Sequence, residues 1–209
     1  MGMILRKSNE NEIEKIVEIS KKSFDTDVLV GGKENDGPPQ YDDINWHKQM
    51  LEDGHLYTYM QKNGEIIGGA ILFKEGRKLY VGRIFISPQH FEQGYGIQLM
   101  RDIECCFPDV YIIQLDTPTW NVRTNRFYRN CGYRQTGKDI ESVYYEKMQK
   151  RGIFFIISDR QLPVCKTVRT GAYLPFSASY TWFFDSFFRE IYRFSANTPS
   201  GARFFTVHG

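Results

Sequence analysis

Cysteine is scarce in this chain, no apolar run is long, and neither sign of charge dominates; each shortage removes a class of protein. The four cysteines, Cys105, Cys106, Cys131 and Cys165, include no Cys-x-x-Cys pair and no Cys/His spacing that would hold zinc. They read as reduced, mostly structural thiols, and no metal is expected. His47, His55, His90 and His208 are scattered, with no two at helical metal-ligand spacing, and read as structural or surface groups. No stretch of about eighteen apolar residues occurs and no charged-then-apolar leader opens the chain, so neither a membrane span nor a secretion signal is expected. The default location is the cytoplasm. Net charge is only +2, and no basic run is interleaved with aromatics before position 150, which argues against nucleic acid as a partner.

What is present begins with Ser87-Pro88-Gln89-His90-Phe91-Glu92-Gln93-Gly94-Tyr95-Gly96-Ile97-Gln98-Leu99-Met100, a strand that runs into a glycine turn and then a helix. Glycine permits positive φ and close approach, and the first helical turn offers unpaired N–H groups at the positive end of the dipole. Such a turn suits a phosphate. There is neither the third glycine of a dinucleotide-binding turn nor the Gly-Lys-Ser/Thr of a Walker loop, which sets both aside. A second block follows. The apolar run 110–115 leads into Asp116-Thr117-Pro118-Thr119-Trp120-Asn121, then a short helix through Phe127-Tyr128 that stops at Gly132. Asn121 is placed to cap that helix.

Together the two blocks resemble the GNAT superfamily of acyl-coenzyme A dependent N-acyltransferases. Its signatures are Gln/Arg-x-x-Gly-x-Gly/Ala, matched in register by residues 91–96, and Asn-x-x-Ala-x-x-Phe/Leu-Tyr-x-x-x-Gly-Phe/Tyr, matched by residues 121–133. Asn121, Phe127, Tyr128, Gly132 and Tyr133 fall in place; Thr124 replaces the usual Ala, and Phe91 stands where the family has a polar residue. The resemblance covers residues 3–149 and implies acetyl-CoA as the acyl-donor cosubstrate. It implies that the backbone amides of Gln93, Gly94, Tyr95, Gly96 and Ile97 cradle the pyrophosphate. Backbone groups near Phe85, Ile86 and Ser87 are expected to pair with the pantetheine arm in a gap between two splayed strands, with Asn121 hydrogen-bonding its amide.

Chemistry then needs a neutral amine, a polarised thioester carbonyl and an acid for the departing thiolate. Tyr128 is the expected acid, since a phenol of ordinary pKa near 10 can protonate a thiolate whose acid form lies at about 8.5. The strand 78–87, where this family often carries a Glu, has no carboxylate; Tyr80 and Arg83 stand there instead. Asp116 is the nearest candidate base, with a water relay or an amine that arrives neutral as alternatives. A base role for His55 is a further alternative. The stretch 25–43 holds Asp25, Asp27, Glu34, Asp36, Asp42 and Asp43 against Lys33. It reads either as an acidic wall that attracts a cationic amine or as a solvated loop.

Periodicity predicts strands at 3–7, 56–61, 66–74, 78–87, 110–115, 133–136 and 142–148, and helices at 10–24, 42–51, 94–106 and after Asn121. The first helix has Ile13, Ile16, Val17 and Ser20 on one face. The fold class expected is α/β (α+β): a mixed, mostly antiparallel sheet of about seven strands with helices on both faces. Residues 1–149 form the transferase domain and 150–209 an aromatic-rich C-terminal extension. That extension holds 10 of the 16 Phe, with Tyr180, Phe183, Phe184, Phe187, Phe188, Ile191 and Tyr192 at helical spacing. It reads as a packing or homodimer surface, an interfacial helix whose mixed polar face disfavours membrane contact, or an extension without function. The expected activity is acetyl transfer to a primary amine of a small molecule or peptide by direct attack in a ternary complex. A catalytically silent acyl-CoA sensor is the alternative.

Overall fold

A strand that opens the chain pairs not with its neighbour in sequence but with the hairpin that follows two helices, and the sheet grows outward from there. The computed structural model describes residues 2–33 and 37–149; the cysteine at 165, the aromatic helix expected at 180–192, Glu34 and Asp36 lie outside the described residues. The elements are β1 (Met3–Lys7), α1 (Ile13–Phe24), α2 (Ile44–Glu52), β2 (Leu56–Gln61), β3 (Ile66–Glu75), β4 (Lys78–Ile86), α3 (Tyr95–Cys106), β5 (Ile112–Pro118), α4 (Val122–Asn130), β6 (Arg134–Lys138) and β7 (Ser142–Met148). The sheet order is β1-β2-β3-β4-β5-β7-β6. The β4–β5 pair is parallel and each of the others is antiparallel. This is the mixed seven-stranded sheet with helices on both faces that the sequence pattern predicts.

Alternation along the strands sorts side chains to two cores. On one face Tyr59, Leu79, Ile113, Leu115 and Tyr145 pack with Leu99, Met100 and Ile103 of α3 and Tyr128 of α4. On the other, Leu56, Ile71 and Phe85 receive Ile16 and Ile19 of α1, with Trp46 and Met50 of α2 at the margin. Each such side chain contributes roughly 1.5–3 kcal/mol of transfer free energy. The α1 face differs by one position from the expected stripe: Ile19 is buried and Val17 is half-buried.

Local chemistry moves several boundaries. Residues 10–12 form a 3-10 turn, so the α-helix starts at Ile13, and Asp25–Val30 is a second 3-10 turn within the expected loop. Asp43 accepts from the amides of Asn45 (2.7 Å) and Trp46 (3.3 Å), so it caps α2 rather than joining it. The strand expected at 110–115 lies at Ile112–Pro118: Val110 N–H turns back to Phe107 O, while pairing with β7 carries on to Pro118 opposite Ser142. Pairing, not hydrophobicity, sets that end.

One constraint shapes the centre of the sheet. β4 and β5 pair only through Lys78/Ile112, Leu79/Ile113 and Tyr80/Gln114. Beyond Tyr80, β4 stays with β3 as far as Ile86 opposite Gly68, and β5 stays with β7. The two strands therefore part, each with one unpaired edge facing the other. Among the described residues no helix is long and apolar enough to cross a membrane.

Near the sheet's first edge, Glu12 is 9% exposed. It accepts from Arg6, from the Asn9 amide at 3.0 Å and from the Thr58 hydroxyl at 2.8 Å. Burial alone would raise its pKa; the bonds from Arg6, Asn9 and Thr58 outweigh burial and hold it below its ordinary 4.5. A depressed carboxylate pKa gives stability that is complete above the unfolded value and is lost as pH falls through the folded one. Glu12→Gln is thus expected to cost about 2 kcal/mol in urea unfolding at pH 7. The gap to wild type should close as both are titrated below pH 4.5.

Candidate functional site

The parted strands open beside the start of α3. Gly94 is the N-cap at φ 83°, a left-handed conformation that any Cβ would strain, and Glu92 just before it also sits at φ 61°. The first helical bond runs from Gln98 N–H to Gly94 O at 3.0 Å. The amides of Tyr95, Gly96 and Ile97 therefore have no partner within the helix. The side chain of Gln93 folds back to Gln89 O at 2.9 Å. A Cβ on Gly96 would lie 3.2 Å from the Phe127 ring, so glycine lets the first turn of α3 sit directly on α4. Phe91 packs against the core on the α3/α4 face. A cation stands over it nonetheless: the Arg123 guanidinium is 5.6 Å from the Phe91 ring centre.

The exposed edge of β4 is selective. Ser87 N–H donates to Ile67 O on the β3 side at 2.7 Å. Two-residue alternation turns the backbone groups of Phe85 the same way and those of Ile84 and Ile86 toward the gap. Of the three residues expected there, Ile86 alone directs its own backbone polar groups into the opening, and Ile84 joins it. The sequence could not fix this phase, because it follows from the register of β3 against β4.

Across the gap lies α4. Asn121 is 1% exposed and caps the helix: its Oδ1 accepts from Thr124 N–H at 3.1 Å and its Nδ2 donates to Asp27 Oδ1 at 3.1 Å. Arg123 Nη2 reaches the same Asp27 oxygen at 2.6 Å. Burial raises the Asp27 pKa in spite of Arg123 and the hydrogen bonds from Arg123 and Asn121. Tyr128 is 7% exposed, packed near Phe127, Tyr133 and Tyr145, with Gly96 on the far side of Phe127. Among the described residues no hydrogen bond engages its hydroxyl. Burial, and then the charge of Asp116, push its pKa well above the ordinary tyrosine range, so it holds its proton at neutral pH. The adjacent Cys131 thiol is pushed up to about 11 by burial and stays protonated too.

Asp116 lies on the opposite face of β5, between Leu115 and Thr117, which both turn to the α3/α4 core. It is not a bare carboxylate: Tyr80 O–H donates to Oδ1, and Ser142 O–H donates to Oδ2 at 3.2 Å. The acidic stretch is likewise engaged. Asp25 accepts from Tyr41 O–H at 2.8 Å and pairs with Lys21, Asp42 also faces Lys21 at 3.6 Å, Asp43 caps α2, and Asp27 holds Arg123. A free wall of acids is thus not what its described members form. His55 Nδ1 lies 3.2 Å from Leu72 O with its ring against Phe73, a structural placement. Among the described residues no three His, Cys, Asp or Glu side chains gather as metal ligands would. Sequence reasoning missed the Asp27–Asn121–Arg123 cluster, in which Asp27 lies 94 and 96 positions from its two partners. It noted Tyr80 only as the residue standing where a carboxylate was sought.

A sheet that opens between two parallel strands, with unpaired helical amides at the mouth and a protonated tyrosine on the flanking helix, is the frame of the GNAT fold. The acetyltransferase (GNAT) family matches over residues 13–133, and the chain belongs to that family. Among curated proteins, the uncharacterized protein YrkN of Bacillus subtilis (strain 168) is 24% identical over 136 residues, 63% of this chain and 72% of that protein. Among solved structures, the PaiA N-acetyltransferase of Thermoplasma acidophilum, in complex with coenzyme A, superposes with a TM-score of 0.64 at 15% identity, covering 71% of this chain and 100% of that one. A GNAT acetyltransferase of Streptococcus agalactiae gives 0.62 at 20% identity over 71% and 96%. Spermidine N-acetyltransferase of Vibrio cholerae, in complex with CoA and spermine, gives 0.54 at 14% over 70% and 95%.

Gly94→Ala places a Cβ in the left-handed region and is expected to lower stability by about 1–2 kcal/mol. Thermal unfolding of the two proteins checks this. Gly96→Val, which meets the Phe127 ring, should lower it as well by forcing α3 off α4.

Proposed function

We propose that the protein transfers an acetyl group from acetyl-CoA to a primary amine of a small molecule or peptide, by direct attack within a ternary complex. The observation that carries the reading is the parting of β4 and β5 after Tyr80 and Gln114, with the open amides of α3 at one side and Tyr128 at the other. In this reading the backbone amides of Gln93, Gly94, Tyr95, Gly96 and Ile97 hold the pyrophosphate, where fixed N–H groups and the helix dipole complement negative charge without reorganising. The unpaired edge near Phe85, Ile86 and Ser87 receives the pantetheine amides, chiefly through Ile84 and Ile86. Asn121 borders that arm, and its engaged side chain makes it first a positioning group for α4.

The amine nitrogen attacks the thioester carbon, the carbon–sulfur bond breaks, and Tyr128 gives its proton to the departing sulfur. Burial keeps the phenol protonated but also makes it a weaker acid, so its first service to the departing thiolate is a hydrogen bond, with the proton following as charge builds on the sulfur. Asp116 accepts the proton that the amine loses. The acceptor is an amine in keeping with the CoA and spermine complex of the Vibrio cholerae neighbour. The engaged acids of the α1–α2 stretch give no added support for a cationic acceptor. Residues 1–149 carry the activity and 150–209 form a separate extension; the place of action is the cytoplasm.

The second reading is a silent acyl-CoA binding module, favoured by the Phe side chain at position 91 and by a β4 without a carboxylate. Turnover separates the two. Steady-state release of CoA from acetyl-CoA in the presence of primary amines is expected, and Tyr128→Phe should lower kcat by about 100-fold while leaving CoA affinity in calorimetry unchanged. Binding of acetyl-CoA without turnover by the wild type would select the silent module. An undiminished kcat in Tyr128→Phe would remove the acid role.

A further inference from the structure

The mouth of the gap needs more positive charge than its own turn can supply. A pyrophosphate carries two negative charges, and a helix start offers the equivalent of about half a positive one. Residues 84–100 contain no Lys or Arg, Glu92 adds a negative charge just before the cap, and the phenyl ring of Phe91 has no N–H or O–H to donate. His90, on the same turn, has its Nε2 3.6 Å from Glu65. A balancing cation has to come from another element.

Arg123 of α4 stands where that cation is needed. Its guanidinium lies over the Phe91 ring, 5.6 Å from the ring centre. Phe127, one turn further along the same face of α4, is the ring that a Cβ on Gly96 would meet at 3.2 Å. Arg123 and Phe127 therefore run beside the segment from Phe91 to Gly96. Arg126 and Arg129 are exposed on other sides of α4, and Arg101 borders the cleft of Glu104 and Lys147 further along α3. One nitrogen of the Arg123 guanidinium is fixed: Nη2 donates to Thr26 Oγ1 at 2.9 Å and to Asp27 Oδ1 at 2.6 Å, and Asn121 holds the same Asp27 oxygen. The ion pair offsets part of the charge but sets the direction of the donors that remain. Among the described residues no hydrogen bond engages Nη1 or Nε, and the side chain is 37% exposed. A guanidinium over an aromatic face keeps its in-plane N–H groups open to an anion.

We infer that Arg123 is a donor-specificity residue that contacts the pyrophosphate of coenzyme A, with Phe91 as the platform beneath it and Asp27 as its positioning partner. The inference rests on the acetyl-CoA reading and adds a side chain to the backbone cradle. The contact comes from α4 and not from the turn before α3, so the phosphate joins the two helices that meet at Gly96 and Phe127. It selects donors by their phosphate: an acyl pantetheine without one fills the gap between β4 and β5 and leaves Arg123 unused. No covalent bond changes at Arg123; its part is binding and orientation.

The test is calorimetric binding of CoA, dephospho-CoA and pantetheine by the full chain, with wild type, Arg123→Met, Arg123→Lys and Asp27→Asn. Arg123→Met keeps an unbranched stem on Phe91 and is expected to weaken CoA and dephospho-CoA by about 30-fold, the loss of a charge-assisted hydrogen bond, with pantetheine unchanged. Arg123→Lys keeps the charge without the planar fork and should fall between. Asp27→Asn keeps an oxygen for both donors, so CoA should bind nearly as in wild type. Added salt should weaken CoA more steeply in wild type than in Arg123→Met. Equal CoA affinity in wild type and Arg123→Met, or an equal loss on pantetheine, would overturn the contact and leave the acetyl-CoA reading standing. So would a loss in Asp27→Asn that matches Arg123→Met, which would make the cluster a tie between the turn after α1 and α4. A loss on CoA that vanishes on dephospho-CoA would put Arg123 at the 3′-phosphate and overturn the pyrophosphate contact. A wild type that binds neither CoA nor dephospho-CoA would overturn both readings. Should Arg123→Met not fold, Arg123→Lys with the same ligands decides.

Discussion

Everything around the site depends on three parallel backbone pairs and on their stopping there. A parallel neighbour requires a crossover, and here the crossover is α3, which must begin at the open end of β4 and return to the start of β5. The start of α3, with its unpaired N–H groups, is thereby delivered to the mouth of the gap without any contact evolved for that purpose. Had β4 and β5 stayed paired to Ile86 and Pro118, the amides would face a closed sheet. Their divergence is possible because each strand keeps a full ladder on its other side, β4 with β3 and β5 with β7.

The same divergence leaves two different polar settings on the two faces. Tyr128 belongs to the α3/α4 side, where burial keeps a phenol neutral, and Tyr80 with Asp116 belongs to the α1/α2 side, where the pair remains half-buried. The sheet thus keeps a buried phenol and a carboxylate that accepts two hydroxyls on separate faces.

Most of the fold was legible because its signals are local. Alternating apolar residues, the glycine turn at 94–96 and the cap at Asn121 each act within a few positions. The boundaries that moved are those where pairing outranked hydrophobicity, as at β5, or where a side chain chose to cap rather than continue, as at Asp43. Of the candidate site, the glycine turn and the helix that carries Tyr128 could be placed in advance, because they belong to continuous motifs. The site was not legible where partners come from distant positions. Tyr80 and Asp116 are 36 residues apart, Asp27 and Arg123 are 96 apart, and no spacing rule connects them. The acidic stretch left two readings open for the same reason: composition counts charges, whereas Lys21, Tyr41 and Arg123 engage most of those described.

The Asp27 carboxylate has a mechanical consequence. One of its oxygens receives both the Asn121 amide and the Arg123 guanidinium, groups two residues apart on the same helix entry. Either donor can leave alone, but a displacement of Asp27 withdraws the shared acceptor from both at once, so the turn after α1 and the entry to α4 are tied through a single carboxylate oxygen.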